Sequence, residues 1–244
     1  MTSPVRASWH VGRVASRRRE TTSAVRLELD VPTWPGNPAG AHLDVRLTAP
    51  DGYQATRSYS VASSGPTTRV TLAVDELPSG EVSPYLVHQL ADGDELEVHG
   101  PLGHYFVWTP TEPDRSPVQL IAGGSGVVPL FAMAVARERE ADHADFRLLY
   151  SVRTPEDVFF AEELSALSKT VVDVVHTRRS PTGSPRPPGR LTPESFAEFV
   201  FPATSTPRIF VCGPTPFVET IAHWLLKLGH DPNRIRTERF GGSG

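Results

Sequence analysis

Cysteine is nearly absent from this sequence. Cys212 is the only one among 244 residues, so no disulfide forms within the chain, and a reducing compartment, the cytoplasm, is expected. Long apolar runs are absent as well. None approaches the roughly 20 residues that a membrane-spanning helix needs, and the first residues lack the apolar stretch of a secretory signal. We therefore expect no membrane association.

An excess of one charge is also missing. Lysine and arginine together number 24 and the acidic residues 28, which gives a net charge of −4 with both signs interspersed. This pattern argues against nucleic-acid binding. The basic run at residues 17–19 is followed by Glu20 and is interpreted as a solvated turn between strands. The nine histidines do not form ligand sets, because the pairs His99 with His104 and His223 with His230 have no further ligands nearby, so no metal site is predicted.

The first half of the chain alternates apolar and polar residues in short segments separated by turn residues. This pattern predicts a small antiparallel β-barrel over residues 1–110. One helix is expected at residues 83–90, with Ser83 as its N-cap and Pro84 at its first position. The predicted strands are residues 9–14, 25–29, 43–47, 56–61, 70–74 and 96–98.

The second half has a different pattern. Residues 111–116 have the composition of a linker, and apolar strand-like segments then alternate with helical ones over residues 117–244. This alternation predicts an α/β doubly wound parallel sheet. The predicted strands are residues 118–122, 146–150, 171–175, 209–211 and 235–237, and the predicted helices are residues 129–138, 160–167, 193–199 and 216–228.

A polar quartet, Arg57-Ser58-Tyr59-Ser60, lies on the fourth predicted strand. Alternation puts Arg57 and Tyr59 on one face, where a guanidinium would hold an anion while the ring packs on a planar ligand, and a serine main chain or hydroxyl would bond the edge of a heterocycle. Gly80 and the amides of Val82 and Ser83 would face the same anion, which makes a diphosphate the expected ligand. An ordinary strand with a surface arginine and a plain helix cap remains the alternative.

Two further motifs end parallel strands. Gly123, Gly124 and Gly126 form a strand-to-helix turn where a doubly wound sheet binds nucleotide phosphates, although Pro129 occupies the third glycine position of the dinucleotide fingerprint. Ser151 and Arg153 end the next strand, where an acidic residue would favour NADH. An arginine suits a 2′-phosphate and favours NADPH. Alternatively, Arg153 pairs with Glu156 or Asp157.

Cys212 ends the strand at residues 209–211, at the same rim as the glycine turn. A lone cysteine on a buried strand is usually a small core residue. Since no histidine lies near it in sequence, Cys212 is interpreted as a packing group against a nicotinamide ring and not as a nucleophile.

These motifs resemble the ferredoxin-NADP reductase family of flavoproteins over nearly the whole chain, in the form without a fused iron-sulfur domain. The resemblance implies that Arg57 contacts the flavin pyrophosphate, that Tyr59 stacks on the isoalloxazine and that Ser60 bonds near flavin N5. It further implies the following sites: Gly80 to Ser83 for a second phosphate contact, Gly123, Gly124, Gly126 and Pro129 for the NAD(P)H pyrophosphate, Cys212, Gly213 and Pro214 beside the nicotinamide, and Glu238 and Phe240 in the tail near the flavin.

The resemblance also implies an activity. NAD(P)H would pass a hydride to FAD, which is favoured over FMN, and electrons would go to a separate acceptor such as a ferredoxin, a haem protein or an oxygenase component. Ser60, Cys212 and Glu238 are the expected catalytic residues. Three alternatives remain, namely a reductase of free flavin or iron chelates, a non-catalytic nucleotide-sensing module, and a plain two-domain scaffold.

Overall fold

The computed structural model describes residues 7–110, 114–140 and 144–240. The chain divides into two compact units between Trp108 and Thr109. Residues 111–113 of the expected linker lie outside the described residues. None of the described helices is long and apolar enough to span a membrane.

Unit 1 is a six-stranded antiparallel sheet with the strand order β4-β3-β6-β1-β2-β5. The Val61–Leu72 bridge joins the chain after β4 to β5, so the sheet curves into the predicted barrel. Its core is formed by the inward residues of each strand together with Leu86 and Val87 of the helix α1. The strands are β1 (Ser8–Arg19), β2 (Ala24–Asp30), β3 (His42–Thr48), β4 (Gln54–Ser60), β5 (Arg69–Asp75) and β6 (Glu95–Leu102), and α1 is Ser83–His88.

Two expectations for unit 1 are wrong. The basic run is not a turn, because Arg17, Arg18 and Arg19 continue β1 and pair with β2. The Arg17 guanidinium donates to the Val87 carbonyl, which ties the end of β1 to α1. Ser83 is not an N-cap either. Val82 occupies that position, with no capping hydrogen bond from its side chain.

Unit 2 is a five-stranded parallel sheet with the order β11-β10-β7-β8-β9. The chain runs outward from β7 to β9 and then returns to the other side of β7, so the strand order reverses between β7 and β10. Ligands bind to doubly wound sheets at this reversal, outside the carboxyl ends of the strands. The strands are β7 (Val118–Gly123), β8 (Phe146–Val152), β9 (Thr170–His176), β10 (Arg208–Pro214) and β11 (Ile235–Phe240).

Helices cover the sheet. Strand residues such as Ile121 and Val211 pack with Val218 and Leu225 of α5, while α2 packs against β7, β8 and β10. Since side chains alternate along a strand, the buried neighbours such as Leu120 point to the opposite face. The helices are α2 (Val127–Glu138), α3 (Ala161–Ser165), α4 (Pro193–Ala197) and α5 (Thr215–Lys227). The two-domain fold class is therefore confirmed.

Candidate functional site

The polar quartet lies on β4 as the alternation predicts. Tyr59 packs against the barrel core, and Arg57 pairs with the core residue Val45 across the β3–β4 ladder. Burial raises the pKa of the Tyr59 hydroxyl to about 12, so the ring is neutral at physiological pH. Ser58 faces the other way, and its hydroxyl donates to Asp44 at 2.5 Å. The quartet thus offers a guanidinium and an aromatic ring on one side of the strand.

Ser60 ends β4 with a polar atom that lacks a partner. Its hydroxyl oxygen is buried, and it makes no hydrogen bond to any residue that the structure describes. An unsatisfied buried hydroxyl costs free energy unless something bonds to it. A bound heterocycle next to Tyr59 would satisfy Ser60, so this residue fits a flavin.

The Arg57 guanidinium contacts an acidic residue. Its Nη2 lies 3.4 Å from the Glu81 carboxylate, which also accepts a hydrogen bond of 3.0 Å from the Tyr53 hydroxyl. Both charged side chains are about half exposed, and such a pair contributes roughly 0 to 1 kcal/mol. An anionic ligand would therefore displace Glu81 at little cost. The Glu81 pairing was not predicted from sequence, although the residue lies within the expected phosphate-binding turn.

The turn at residues 77–83 is closed by its own hydrogen bonds. The Gly80 amide donates to the Leu77 carbonyl at 2.7 Å, and the Ser83 hydroxyl accepts from the Leu77 amide at 3.0 Å. A Cβ at Gly80 would lie 3.0 Å from the Leu77 carbonyl oxygen, so a side chain there would crowd the turn. The Val82 side chain is fully buried in the barrel core. The Gly80 amide is therefore engaged within the turn, and Val82 can offer a phosphate only its backbone, whereas the Ser83 hydroxyl still has its proton to donate.

In unit 2 the glycine turn and the cysteine motif lie side by side. Cys212 pairs with Ala122 in the β7–β10 ladder, so both motifs end the two strands between which the strand order reverses. Pro129 is buried in the first turn of α2, which a 3₁₀ turn at Gly124–Gly126 precedes. Both motifs therefore lie at the edge where doubly wound sheets bind ligands.

The glycines of this edge have different roles. A Cβ at Gly126 would lie 2.3 Å from the Cys212 carbonyl oxygen, so this glycine lets the turn pack on β10. A Cβ at Gly123 or at Gly213 would meet the Phe217 ring, at 2.8 Å and 3.0 Å. Gly124 is different, because its φ is +55° and no atom lies within 4 Å of its Cβ position. Of these glycines, only Gly124 leaves open space for a phosphate. The contact of Phe217 with Gly123 and Gly213 was not predicted from the sequence.

Ser151 and Arg153 lie at the carboxyl end of β8. The guanidinium of Arg153 is exposed and has no hydrogen bond or ion pair with any residue in the described part of the chain. It does not pair with Glu156, whose carboxylate contacts Arg179, or with Asp157, which accepts from the Thr154 amide. A cationic group thus remains available at this rim.

Cys212, which is fully buried, and Glu238, which is half-buried, lie near the carboxyl ends of β10 and β11. They are paired in the parallel ladder, and burial raises the pKa of the Glu238 carboxyl to about 7. Burial first, and the Glu238 charge second, raises the pKa of the Cys212 thiol well above its usual value. The thiol is therefore neutral and suited to packing. Pro214 pairs with Phe240 at the exposed end of the same ladder.

Within residues 7–110, 114–140 and 144–240, no group of three or more histidine, cysteine, aspartate or glutamate side chains is placed to hold a metal ion.

A barrel carrying an arginine–tyrosine strand and a doubly wound sheet with a glycine turn at its strand-order reversal define a protein that binds two nucleotides. Residues 13–107 match the family model of the oxidoreductase FAD-binding domain, and residues 120–223 match that of the oxidoreductase NAD-binding domain.

The chain is also similar to known reductases and to a flavohemoprotein. The chain is 32% identical over 197 residues to the glycine betaine monooxygenase reductase subunit of Chromohalobacter salexigens, covering 78% of this chain and 53% of that protein. It is 30% identical over 209 residues to flavohemoprotein A of Dictyostelium discoideum, covering 82% and 51%. A solved structure of an Amycolatopsis cytochrome P450 reductase is 26% identical with a TM-score of 0.79, covering 96% and 70%.

The chain belongs to the ferredoxin-NADP reductase family of flavoprotein oxidoreductases. It spans about half the length of the first two relatives, 53% and 51%. The family resemblance and the expected cofactors, FAD and a nicotinamide nucleotide, are confirmed.

Proposed function

We propose that this chain is an NAD(P)H-dependent flavoprotein reductase that takes a hydride from NAD(P)H onto FAD and passes electrons to a separate protein, either iron-sulfur or haem. The observation that carries the proposal is the presence in one chain of an FAD-binding domain and an NAD-binding domain. A monooxygenase reductase subunit and a cytochrome P450 reductase among the similar proteins support an acceptor of this kind. The single cysteine supports a cytoplasmic location.

In unit 1, β4 would orient the flavin. Arg57 would release Glu81 and hold the diphosphate instead. Tyr59 would pack on the ring system, and the Ser60 hydroxyl would donate a hydrogen bond near flavin N5. Ser58 would contribute through its backbone, since its hydroxyl is engaged by Asp44. Bound flavin would supply hydride acceptance and release of electrons one at a time.

In unit 2, the edge between β7 and β10 would orient the nicotinamide nucleotide. The Gly124 backbone approaches the pyrophosphate in a turn shaped by Gly123, Gly126 and Pro129. Gly213 and Pro214 lie at this edge, beside the neutral Cys212 thiol, which packs on the nicotinamide. The Glu238 carboxyl, with a pKa of about 7, holds a proton in part of the molecules at neutral pH, and Phe240 follows two residues later.

NADPH is the proposed coenzyme. The Arg178 amide donates to the Arg153 carbonyl at 2.8 Å, which brings the ends of β8 and β9 together. Both arginine side chains are exposed, and neither guanidinium has a partner within the described residues. Two available guanidinium groups beside Ser151 suit a 2′-phosphate dianion. Arg178 was not predicted from the sequence.

The test is spectroscopic. The purified chain should show the visible absorption band of oxidised flavin, and anaerobic addition of NADPH should bleach that band. A reduced iron-sulfur or haem protein should then form when either acceptor is supplied. A protein that stays colourless after incubation with FAD, or whose flavin band survives excess NADPH and NADH, would overturn the proposal. Efficient turnover with free flavin or a ferric chelate, and none with protein acceptors, would show that the acceptor is a small molecule and not a protein.

A further inference from the structure

Unit 2 contains a cleft that the proposed function does not use. It has a volume of about 520 Å³ and lies between the amino ends of β8 and β9, the end of α2 and Phe201. This volume is within the usual range for small-molecule sites. Strand β8 runs from Phe146 at the cleft to Val152 at the nucleotide edge, which corresponds to roughly 20 Å along a strand. We call it the Thr170 cleft.

The walls of the Thr170 cleft are held by hydrogen bonds. Gln119, fully buried on β7, accepts from the Phe201 amide at 3.0 Å and donates to the Arg147 carbonyl at 3.4 Å. The Lys169 ammonium donates to the Glu138 carbonyl at 2.8 Å, which joins the chain just before β9 to the end of α2. The cleft is therefore bounded by segments that are fixed to one another.

Hydrogen-bond donors remain unused in this cleft. The Arg147 guanidinium donates from Nε to Asp173 at 2.8 Å, and its two terminal nitrogens bond to no residue that the structure describes. The Lys169 ammonium gives two of its three protons to backbone carbonyls, so one is left. N–H groups on charged side chains bind oxyanions such as carboxylates and phosphates. An oxyanion is therefore the expected ligand.

The charges around the cleft indicate which oxyanion fits. Three cations line it, namely Arg137, Arg147 and Lys169. Three carboxylates balance them, because Asp145 also lines the cleft, Asp173 is paired with Arg147, and Glu138 accepts from the Lys169 amide at 2.7 Å. A dianion such as phosphate would gain little net attraction from balanced charges. A single carboxylate can still use the free N–H groups.

The cleft also has a buried hydroxyl and an apolar wall. Thr170 is 6% exposed, and its hydroxyl makes no hydrogen bond to any residue in the described part of the chain, although it can donate one. A buried hydroxyl without a partner costs free energy. Val171 is 60% exposed despite being apolar, and the half-buried Phe201 lines the same cleft. An apolar group bound there would cover both side chains.

We propose that the Thr170 cleft binds a small organic acid that carries one carboxylate and an apolar body. The carboxylate accepts from the unused N–H groups of Arg147 and Lys169 and from the Thr170 hydroxyl. The apolar body lies on Val171 and Phe201. Because the cleft and the nucleotide edge lie at opposite ends of the strands, the acid and the nicotinamide nucleotide bind at the same time. This inference is independent of the proposed function.

The test is calorimetric titration of the full chain with hexanoate as the probe. Hexanoate should bind at least about 10-fold more tightly than acetate, the effect of burying two of its additional methylene groups. Hexanol lacks the carboxylate and should bind at least about 10-fold more weakly than hexanoate. Inorganic phosphate should not compete with hexanoate, and saturating NADPH should leave hexanoate affinity unchanged.

Two variants separate the polar contact from the apolar one. Thr170→Val keeps the shape of the side chain and removes the hydroxyl, so hexanoate affinity should fall by about 10-fold or more while Tm does not fall. Val171→Asp places a carboxylate in the apolar wall and should abolish hexanoate binding. Val11→Asp is its matched control, because Val11 is an exposed strand valine of unit 1.

Other results would contradict the cleft assignment. Equal affinity for hexanoate and acetate, or competition by phosphate, would overturn the ligand class. Release of hexanoate by NADPH, or wild-type affinity in Thr170→Val or Val171→Asp, would mean that the acid binds elsewhere. A chain that takes up FAD and shows no saturable hexanoate binding would overturn this inference and leave the proposed function standing.

Discussion

Replacing Arg57 by alanine tests the flavin site directly. A hydrogen bond to a charged group contributes roughly 1.5 to 3 kcal/mol, which corresponds to about 10- to 150-fold in affinity. Arg57 first has to leave Glu81, however, and an exposed pair of this kind contributes at most about 1 kcal/mol, which reduces the loss by up to about fivefold. With that full discount, we expect Arg57→Ala to weaken FAD binding by about 2- to 30-fold.

The assay is titration of the flavin-stripped chain with FAD, followed by flavin fluorescence. Arg69→Ala is a matched control, because Arg69 is also an exposed strand arginine of unit 1 with ion pairs, to Glu28 at 3.4 Å and Asp30 at 2.9 Å. Glu81→Gln should strengthen binding by up to about fivefold, since Arg57 is then released without breaking an ion pair. Wild-type FAD affinity in Arg57→Ala would refute the assigned contact.

Three further predictions concern unit 2. Arg153→Ala should raise the KM for NADPH by about 10-fold or more and leave the KM for NADH unchanged, and equal changes for both coenzymes would argue against a phosphate contact. Cys212→Ser should slow hydride transfer in stopped-flow measurements while changing Tm little. An unaltered hydride-transfer rate would mean that Cys212 only packs in the core. Burial raises the pKa of Glu238 from 4.5 to about 7, so the folded state binds more protons and its stability falls by at most about 3 kcal/mol as pH rises through that range. Glu238→Gln should remove this fall in urea unfolding, and an unchanged pH profile would contradict it.

The strands of the barrel were predictable because one face of each is buried, which produces alternation in the sequence. The exception is the end of β1. The pairing with β2 shifts register between Val14 and Ser16, so the alternation ends there although the strand continues. Arg17 then reaches the Val87 carbonyl, a contact 70 residues away in sequence. The sequence does not reveal that distant acceptor, and for this reason the three consecutive arginines were interpreted as a solvated turn.

The candidate site was predictable in its motifs and not in its contacts. Strand-then-turn patterns locate Arg57, Gly124 and Cys212 on their elements, since each motif depends on its local neighbours. The pairing of Arg57 with Glu81 and the placement of Phe217 depend on chain segments that only the folded structure brings together. Long-range packing of this kind leaves no local periodicity in the sequence.

The glycine turn shows how far a motif can be interpreted from residue types alone. In sequence, Gly123, Gly124 and Gly126 are equivalent candidates for close approach of a phosphate. The structure separates them, because a Cβ at Gly126 would overlap the Cys212 carbonyl and one at Gly123 would overlap Phe217, while the space beside Gly124 is open. Gly126 and Gly123 therefore let β7, β10 and α5 pack together, and the proposed phosphate contact is assigned to Gly124. A substitution at Gly123 or Gly126 that prevents folding would thus carry no information about nucleotide binding.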